Sequence, residues 1–216
     1  MTDLRTRLAH VYWLGGGTGA GKSTISTHLA NRFGLRRYDT DRSMSDHTAR
    51  SSPGETPYLQ DFLAMDMDER WAKRSPEVML DTFHWFRGEA FGLIVEDLLS
   101  LPAEPIVVEG FRLLPELVEP LLADRRQAVW LLPTPGFRRA ALEWRGSLWA
   151  IAGRTSAPER ALGNLLERDR MFTQRIAGET ARLGLTGLVV DIDRSEEELA
   201  DQVAKLFGLG RTGSTQ

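Results

Sequence analysis

Short apolar runs alternate along the chain with longer segments whose apolar residues recur at helical spacing. This alternation is typical of a parallel β-sheet whose strands are joined by crossover helices, so we predict an α/β fold. The predicted strands cover residues 9–14, 35–38, 105–109, 128–132 and 188–192. The predicted helices cover residues 22–33, 77–99, 114–122, 135–145, 158–183 and 196–207.

Several helix boundaries carry their own signals. Ser75 stands before a proline at the start of one predicted helix, and Gly184 stands just past the end of another. Residues 41–74 show the least regular pattern. We predict one domain over 1–208 and a flexible polar tail over 209–216.

Composition narrows the class of protein. A chain of 216 residues, 42% hydrophobic and 26% charged, can bury one core. It has no cysteine, which excludes disulfides and thiolate chemistry and suits a reducing cytoplasm. No stretch approaches the length of a membrane span, so we expect a cytoplasmic protein with no membrane partner. The net charge of -3 gives no reason to expect nucleic acid.

The charge is unevenly distributed. Residues 41–100 hold twelve carboxylates against six Lys and Arg, whereas residues 138–170 hold seven arginines against four carboxylates. One interpretation is that both blocks are solvated faces. The other is that the arginines form a clamp for phosphate.

A glycine-rich stretch of ten residues, 15–24, directly follows the first apolar run. Gly16, Gly21, Lys22 and Ser23 satisfy the spacing GxxxxGK[ST] between a predicted strand and a predicted helix, which is the context of a phosphate-binding P-loop. Glycines let successive N–H groups turn into one concavity, and the helix start adds its own unpaired N–H groups and positive dipole end. We therefore predict nucleotide binding by Gly16, Gly17, Thr18, Gly19, Ala20, Gly21, Lys22, Ser23 and Thr24.

Lys22 and Ser23 have the residue types that a triphosphate requires. Lys22 would reach the β and γ phosphates, and the Ser23 hydroxyl would ligate Mg²⁺. The alternative, a glycine-rich turn that merely joins a strand to a helix, leaves a lysine unexplained at the wrong end of the helix dipole.

Carboxylates follow two other predicted strands. Asp39 and Asp41 come after the second strand, and Glu109 ends the third. Because ligands of open α/β sheets collect at the carboxyl ends of the strands, these groups could serve Mg²⁺ or accept a proton from a hydroxyl. The alternatives are that an aspartate caps a turn and that Glu109 forms a salt bridge.

The arginine block follows the fourth strand. Arg145, Arg154 and Arg168 are the candidates for neutralising a transferred phosphoryl group, and nearby glycines could act as hinges. Helical pairing at i,i+3, such as Glu167 with Arg170, is the alternative for any one arginine.

This combination of GGTGAGKST, the DTD at 39–41, the EG at 109–110 and an arginine-rich segment resembles the P-loop small-molecule kinases. They form the nucleoside-monophosphate-kinase-like branch, which includes shikimate, gluconate, uridine-type and antibiotic kinases. The resemblance implies a P-loop NTPase fold whose five-stranded parallel sheet, in the order 2-3-1-4-5, is flanked by helices. It also implies ATP, Mg²⁺ and a small acceptor held between an arginine-rich lid, 138–157, and a helical substrate-binding insert, 43–99.

By position in the resemblance, Asp41 matches the substrate-side carboxylate and base, while Glu109 matches the acid on the metal side. Asp39 fits the metal side less closely, which leaves open which aspartate is the base. The insert is longer than in the simplest members and matches no acceptor motif. Its aromatics suit either a pocket for a polar, ring-bearing or cationic molecule or a cap helix that buries its own aromatic face.

We therefore predict a kinase that moves the γ-phosphate of ATP to a hydroxyl of a small metabolite or antibiotic-like compound. The catalytic residues would be Lys22, Asp41, Arg145, Arg154 and Arg168, and the metal ligands Ser23, Asp39 and Glu109. The alternative is a nucleotide-dependent switch that acts through a protein partner. The acidic insert disfavours action on nucleic-acid ends, and the oligomeric state stays open, with a homodimer as one candidate.

Overall fold

The computed structural model describes residues 3–210, and a five-stranded, all-parallel sheet forms its centre. The strand order β2-β3-β1-β4-β5 confirms the predicted P-loop NTPase fold. The strands are β1 (Val11–Gly16), β2 (Arg36–Asp39), β3 (Ile106–Glu109), β4 (Ala128–Pro133) and β5 (Thr186–Val190).

Helices cover both faces of the sheet and form the insert. The α-helices are α1 (Leu4–Arg7), α2 (Lys22–Phe33), α3 (Met44–Arg50), α4 (Pro57–Ala64), α5 (Pro76–Thr82), α6 (Phe91–Ser100), α7 (Pro115–Val118), α8 (Pro135–Trp144), α9 (Pro158–Leu183) and α10 (Glu196–Leu206). A π-helix, Glu69–Lys73, and a 3₁₀-helix, His84–Arg87, lie within the insert. Within residues 3–210, no helix combines the length and the apolar composition needed to cross a membrane.

The strand register brings the predicted carboxylates together at one edge. Glu109 is paired with Leu14 of β1 on one side and with Asp39 of β2 on the other. On the far side of β1, Gly16 is paired with Leu131 of β4. The P-loop, the DTD segment and the end of β3 therefore start from neighbouring positions at the carboxyl edge.

Two hydrophobic layers enclose the sheet, and a third cluster anchors the insert. Trp13 and Trp130, which lie in strands β1 and β4, are fully buried in the layer beneath the insert. The opposite layer packs α2 and α10 against the sheet. In the third cluster, Trp71 and Met79 of the insert meet Leu165 of α9. Apolar burial thus holds the insert against the helix that carries the predicted Arg168.

Some predicted boundaries are wrong. The single helix predicted over 77–99 is broken, because Gly88 and Ala90 adopt positive φ angles of 80° and 57°. The segment 41–74, predicted to be irregular, contains α3, α4 and the π-helix. Helix 114–122 ends its α-helical part at Val118, and strand 188–192 starts two residues earlier, at Thr186. Of the predicted tail, residues 211–216 lie outside the described residues.

Candidate active site

The glycine-rich loop joins β1 directly to α2. Gly21 is the N-cap of α2, with φ 80° and ψ 10°, a left-handed conformation that favours glycine. No side chain caps the first turn of α2. Its N–H groups therefore remain available, together with the positive end of the helix dipole, to an anion held in the loop.

Lys22 is buried in the loop that precedes it. It is 7% exposed, and its Nζ donates hydrogen bonds to the carbonyl oxygens of Gly16 at 3.3 Å and Gly17 at 2.8 Å. Burial lowers the pKa of Lys22, while the nearby carboxylates of Asp41 and Glu109 counteract this shift. The lysine thus lies between the P-loop and two of the three carboxylates that the sequence singled out, Asp41 and Glu109.

Glu109 lies almost completely buried beside the start of α2. It is 1% exposed, its carboxylate lies near the exposed Ser23 hydroxyl, and its Oε1 has no hydrogen-bond partner. Burial raises the pKa of Glu109, against the opposing effects of the Ser23 hydrogen bond and the Lys22 charge. A buried, unpartnered carboxylate oxygen next to a serine hydroxyl is a donor set that suits a divalent cation.

Asp41 and Asp39 have different surroundings although they are two residues apart. Asp41 is exposed, yet nearby protein atoms partly desolvate it and raise its pKa, against the charges of Lys22 and Arg112. The Oδ1 of Asp39 accepts the backbone N–H groups of Asp41 at 2.9 Å and Arg42 at 3.3 Å. Asp39 therefore shapes the turn that presents Asp41, which is the capping role weighed from the sequence.

The predicted magnesium ligands, Ser23, Asp39 and Glu109, are distinct from the cluster of ligand-type side chains that lies closest together in the structure. Among the described residues, the group whose potential ligand atoms all lie within 4.8 Å of one another is Asp46, His47 and Asp97. Arg50 already donates to Asp46 at 3.0 Å and to Asp97 at 2.7 Å, so a guanidinium supplies the positive charge there. Ser23 and Glu109 are better placed for Mg²⁺, which commonly takes few protein ligands beside phosphate and water.

The three predicted arginines are not equivalent. Arg145 lies exposed at the end of α8, close enough to Lys22 to lower its pKa. Arg154 is exposed in a short 3₁₀-helix, and no side-chain hydrogen bond ties it to another described residue. Arg168 is buried and hydrogen-bonded to Asp169 at 2.7 Å. The structure thus brings the charge of Arg145 close to Lys22, while none of the groups that shift the pKa of Lys22 is Arg154.

Asp169, Arg138 and Arg112 were missed in the sequence analysis. Asp169 is 1% exposed and binds both Arg168 and Arg138, and its charge reaches Lys22. Arg112 follows the EG pair by two residues, and its buried guanidinium donates to the Thr40 carbonyl at 3.3 Å. The run EGFR was the available signal, since an arginine that closely follows a strand end lies near the ligand edge of the sheet.

Gly110 explains how Thr40 and Arg112 come so close. A Cβ at Gly110 would overlap the Thr40 side chain, so only glycine allows the chain after β3 to pass against the DTD loop. The Thr40 N–H donates to the Glu109 carbonyl at 2.9 Å and fastens the two segments. The Glu109-Gly110 pair therefore holds the end of β3 against the DTD loop and also supplies a carboxylate.

A cleft of 240 Å³ opens beside Gly21 of the P-loop. It lies between the start of α2, the end of α8 and the segment after β5, and Gly21, Thr24 and Arg145 line it. Trp144 and Ile192 also line the cleft, with 86% and 64% of their surface exposed. An exposed indole ring and an exposed branched side chain are suited to packing against a planar ring such as a nucleobase.

Comparisons with known proteins identify structural likenesses but no sequence relative. No protein-family model matches the chain, and no curated protein matches it. Among solved structures, it is similar to a gluconokinase from Sinorhizobium meliloti 1021, with 16% identity over 92% of this chain and 91% of that chain, and a TM-score of 0.43. It is also similar to the shikimate kinase from Acinetobacter baumannii in complex with shikimate, with 15% identity over 97% and 99% and a TM-score of 0.44.

These two proteins are of the class of P-loop small-molecule kinase that the sequence resembles. With identities below 25% and TM-scores below 0.5, neither likeness bears on what this chain binds or does. Function must be inferred from the site itself.

Proposed function

We propose that this protein is a kinase that transfers the γ-phosphate of ATP to a hydroxyl group of a small molecule, with Mg²⁺. The observation that carries the proposal is the placement of Lys22 between a P-loop with uncapped N–H groups and two carboxylates with raised pKa values, Asp41 and Glu109. Phosphoryl transfer needs these parts: a phosphate cradle, a counter-charge, a metal-side acid and a base.

The chain would bind ATP along the P-loop. The loop N–H groups would hold the phosphates, and Lys22 would exchange its bonds to the Gly16 and Gly17 carbonyls for phosphate oxygens. Trp144 and Ile192 would enclose the adenine ring of ATP in the neighbouring cleft. Ser23 and Glu109 would hold Mg²⁺, which neutralises charge on the β and γ phosphates when bound.

Asp41 would orient the acceptor hydroxyl and accept its proton. As the acceptor oxygen bonds to the γ-phosphorus, the bond from that phosphorus to the β–γ bridging oxygen breaks, and ADP leaves. A carboxylate with a raised pKa is a stronger base than an aspartate with the ordinary pKa, so desolvation of Asp41 helps this step. Arg145 and Arg168 would neutralise the moving charge, together with Arg154 if the lid closes.

The test is a metabolite extract incubated with the protein and Mg-ATP and monitored for mass gains of one phosphate. We expect Asp41→Asn to reduce transfer by about 10²- to 10⁴-fold, the range for loss of a general base, and to keep ATP binding. Lys22→Ala should lose ATP binding in calorimetry. Asp61→Asn, an exposed aspartate on α4, is the matched control and should behave as the unaltered protein.

The outcomes separate the two function classes. ATP binding without transfer to any compound in the extract would contradict the kinase and favour the nucleotide-dependent switch. A variant Asp41→Asn with full transfer activity would overturn the assignment of the base. If calorimetry detects no heat when ATP is added, both the kinase and the nucleotide-dependent switch are contradicted.

A further inference from the structure

Apolar side chains form most of the wall of the cleft beside the P-loop. Trp144, the last residue of α8, has 86% of its surface exposed, and Ile192, in the segment after β5, has 64% exposed. Phe137 of α8 and Ile25 of α2 also line the cleft. A planar ring placed there would cover apolar surface that water now contacts. This gain depends on the area of the ring and not on the polar groups at its edge.

The backbone N–H groups of the segment after β5 are already bonded. The Ile192 N–H donates to the Asp191 Oδ1 at 2.8 Å, and the Arg194 N–H donates to the Asp191 carbonyl at 3.3 Å. A donor of this kind would distinguish adenine, whose N1 accepts a hydrogen bond, from guanine, whose N1 carries a hydrogen. Because both N–H groups are occupied within the protein, this segment does not supply that donor.

The charged side chains at the cleft are hydrated or engaged elsewhere. The Arg194 Nη1 donates to the Gln202 Oε1 at 2.6 Å, and Arg145 and Glu196 are exposed. Across residues 3–210, none of the buried side-chain polar atoms without a partner belongs to a residue that lines this cleft. A polar group that keeps its water gains little from exchanging that water for the edge of a base.

The phosphate end of the site is built differently. The first turn of α2 has no side-chain cap, and Lys22 is buried in the loop before it. A site rejects a wrong ligand strongly only when the wrong ligand leaves buried polar groups unpaired. That condition is met where the phosphates bind and is not met where the base would lie. Selection by this site is therefore for the triphosphate and for a flat ring.

We infer that the donor site accepts purine nucleoside triphosphates in general, GTP as well as ATP, through the P-loop and through packing of the base against Trp144 and Ile192. The inference rests on the proposed kinase function and names the class of phosphate donor for that same site. It assigns to Trp144 the affinity for the base, while Lys22 and the loop N–H groups supply the affinity for the phosphates.

The experiment is a calorimetric titration of the protein with ATP, GTP and ITP, each with Mg²⁺. The base of ITP has the ring oxygen of guanine and no amino group, so the three nucleotides differ in the hydrogen-bonding pattern of the base and share the triphosphate. We expect three Kd values that agree within about 10-fold, whereas a site built to hydrogen-bond one base would reject another by about 10⁴-fold.

Variants test the position of the base. Trp144→Ala should raise the Kd of all three nucleotides by a similar factor, about 5-fold or more, the effect of losing one aromatic stack. It should leave the Kd of tripolyphosphate, which has no base, unchanged. Trp149→Ala is the matched control, because this tryptophan lies five residues further along, is 47% exposed and is not among the residues that line the cleft. Its nucleotide affinities should equal those of the unaltered protein.

A Kd for GTP or ITP that differs from that of ATP by more than about 10-fold would overturn the inference and leave the kinase intact. Unchanged nucleotide affinity in Trp144→Ala, or an equal loss in Trp149→Ala, would also overturn it, because the base would then not lie against Trp144. Absence of heat with all three nucleotides would overturn the proposed kinase and this inference with it.

Discussion

Glu109 is a buried carboxylate whose ionised form costs stability. Burial raises its pKa in the folded protein, so the ionised side chain at neutral pH opposes folding. We expect Glu109→Gln, which removes the charge and keeps the shape, to stabilise the metal-free protein by about 1 kcal/mol, or about 2–4 °C in Tm at this chain length. The same variant should lose the additional thermal stabilisation that Mg²⁺ gives in the presence of ATP.

Calorimetric melting with and without Mg-ATP measures both effects. Glu104→Gln is the control, because this exposed residue on the segment before β3 forms a surface ion pair with Arg36 and should shift Tm little. A lower Tm for metal-free Glu109→Gln would show that the ionised carboxylate contributes to the fold.

At the residue scale, the sequence identified groups whose role is set by local spacing. Lys22 and Ser23 were found because a phosphate cradle needs glycines and a helix start at fixed intervals, which one stretch of chain displays. Arg112 and Asp169 were not singled out, since their importance comes from burial and from partners far along the chain. Asp169 stands within a run of charges that resembles an exposed helix face, yet it is almost fully buried between two arginines.

At the scale of elements, α4 depends on a carboxylate from another part of the insert. Its N-cap residue, Thr56, makes no capping bond, and Glu89 accepts the N–H groups of Tyr58 at 3.0 Å and Leu59 at 2.9 Å. We expect Glu89→Ala to cost about 1–2 kcal/mol, the usual loss for a helix cap. Hydrogen exchange should become faster in α4 and leave the sheet unchanged.

Glu96→Ala is the control for this change, because Glu96 is an exposed carboxylate of α6 that pairs with Arg50 at the surface. Uniform loss of protection throughout the sheet would contradict a local role for Glu89. This cap also explains a failure of the sequence analysis. Thr56 and Pro57 mark the start of α4 locally, but the group that accepts its first N–H groups stands about thirty residues away, near the left-handed Ala90 that breaks the predicted long helix.

At the scale of the whole molecule, the sheet could be predicted because apolar strands and amphipathic helices alternate, and the strand order came from the resemblance. The arrangement of the insert could not be predicted. Its aromatic residues bury one another and anchor on α9, and neither periodicity nor spacing encodes such contacts. The electrostatics of the molecule were hidden for the same reason, since Arg112, Arg138 and Arg168 are buried by contacts that the sequence pattern does not show.

The acid stability of the whole protein should depend on His84. This histidine is 2% exposed among the rings of Phe62, Phe83 and Trp85, and burial, followed by the charges of Arg112 and Arg70, lowers its pKa to about 3. In the unfolded chain its pKa is about 6.5, so the unfolded state takes up a proton first as the pH falls. The free energy of unfolding is unaffected by His84 above about pH 6.5, and it decreases as the pH falls from there towards 3.

We therefore expect His84 to contribute a loss of about 2 kcal/mol in the free energy of unfolding between pH 7 and pH 5. His84→Phe keeps an aromatic ring among its neighbours and cannot take up the proton. Its free energy of unfolding should therefore decrease by about 2 kcal/mol less between pH 7 and pH 5 than that of the unaltered protein. Urea unfolding at the two pH values measures the difference, and His28→Phe, a half-exposed histidine on α2, is the control. An equal pH dependence for the unaltered protein and His84→Phe would contradict this, because it would mean that folding does not lower the pKa of His84 and that the folded protein takes up this proton by pH 5.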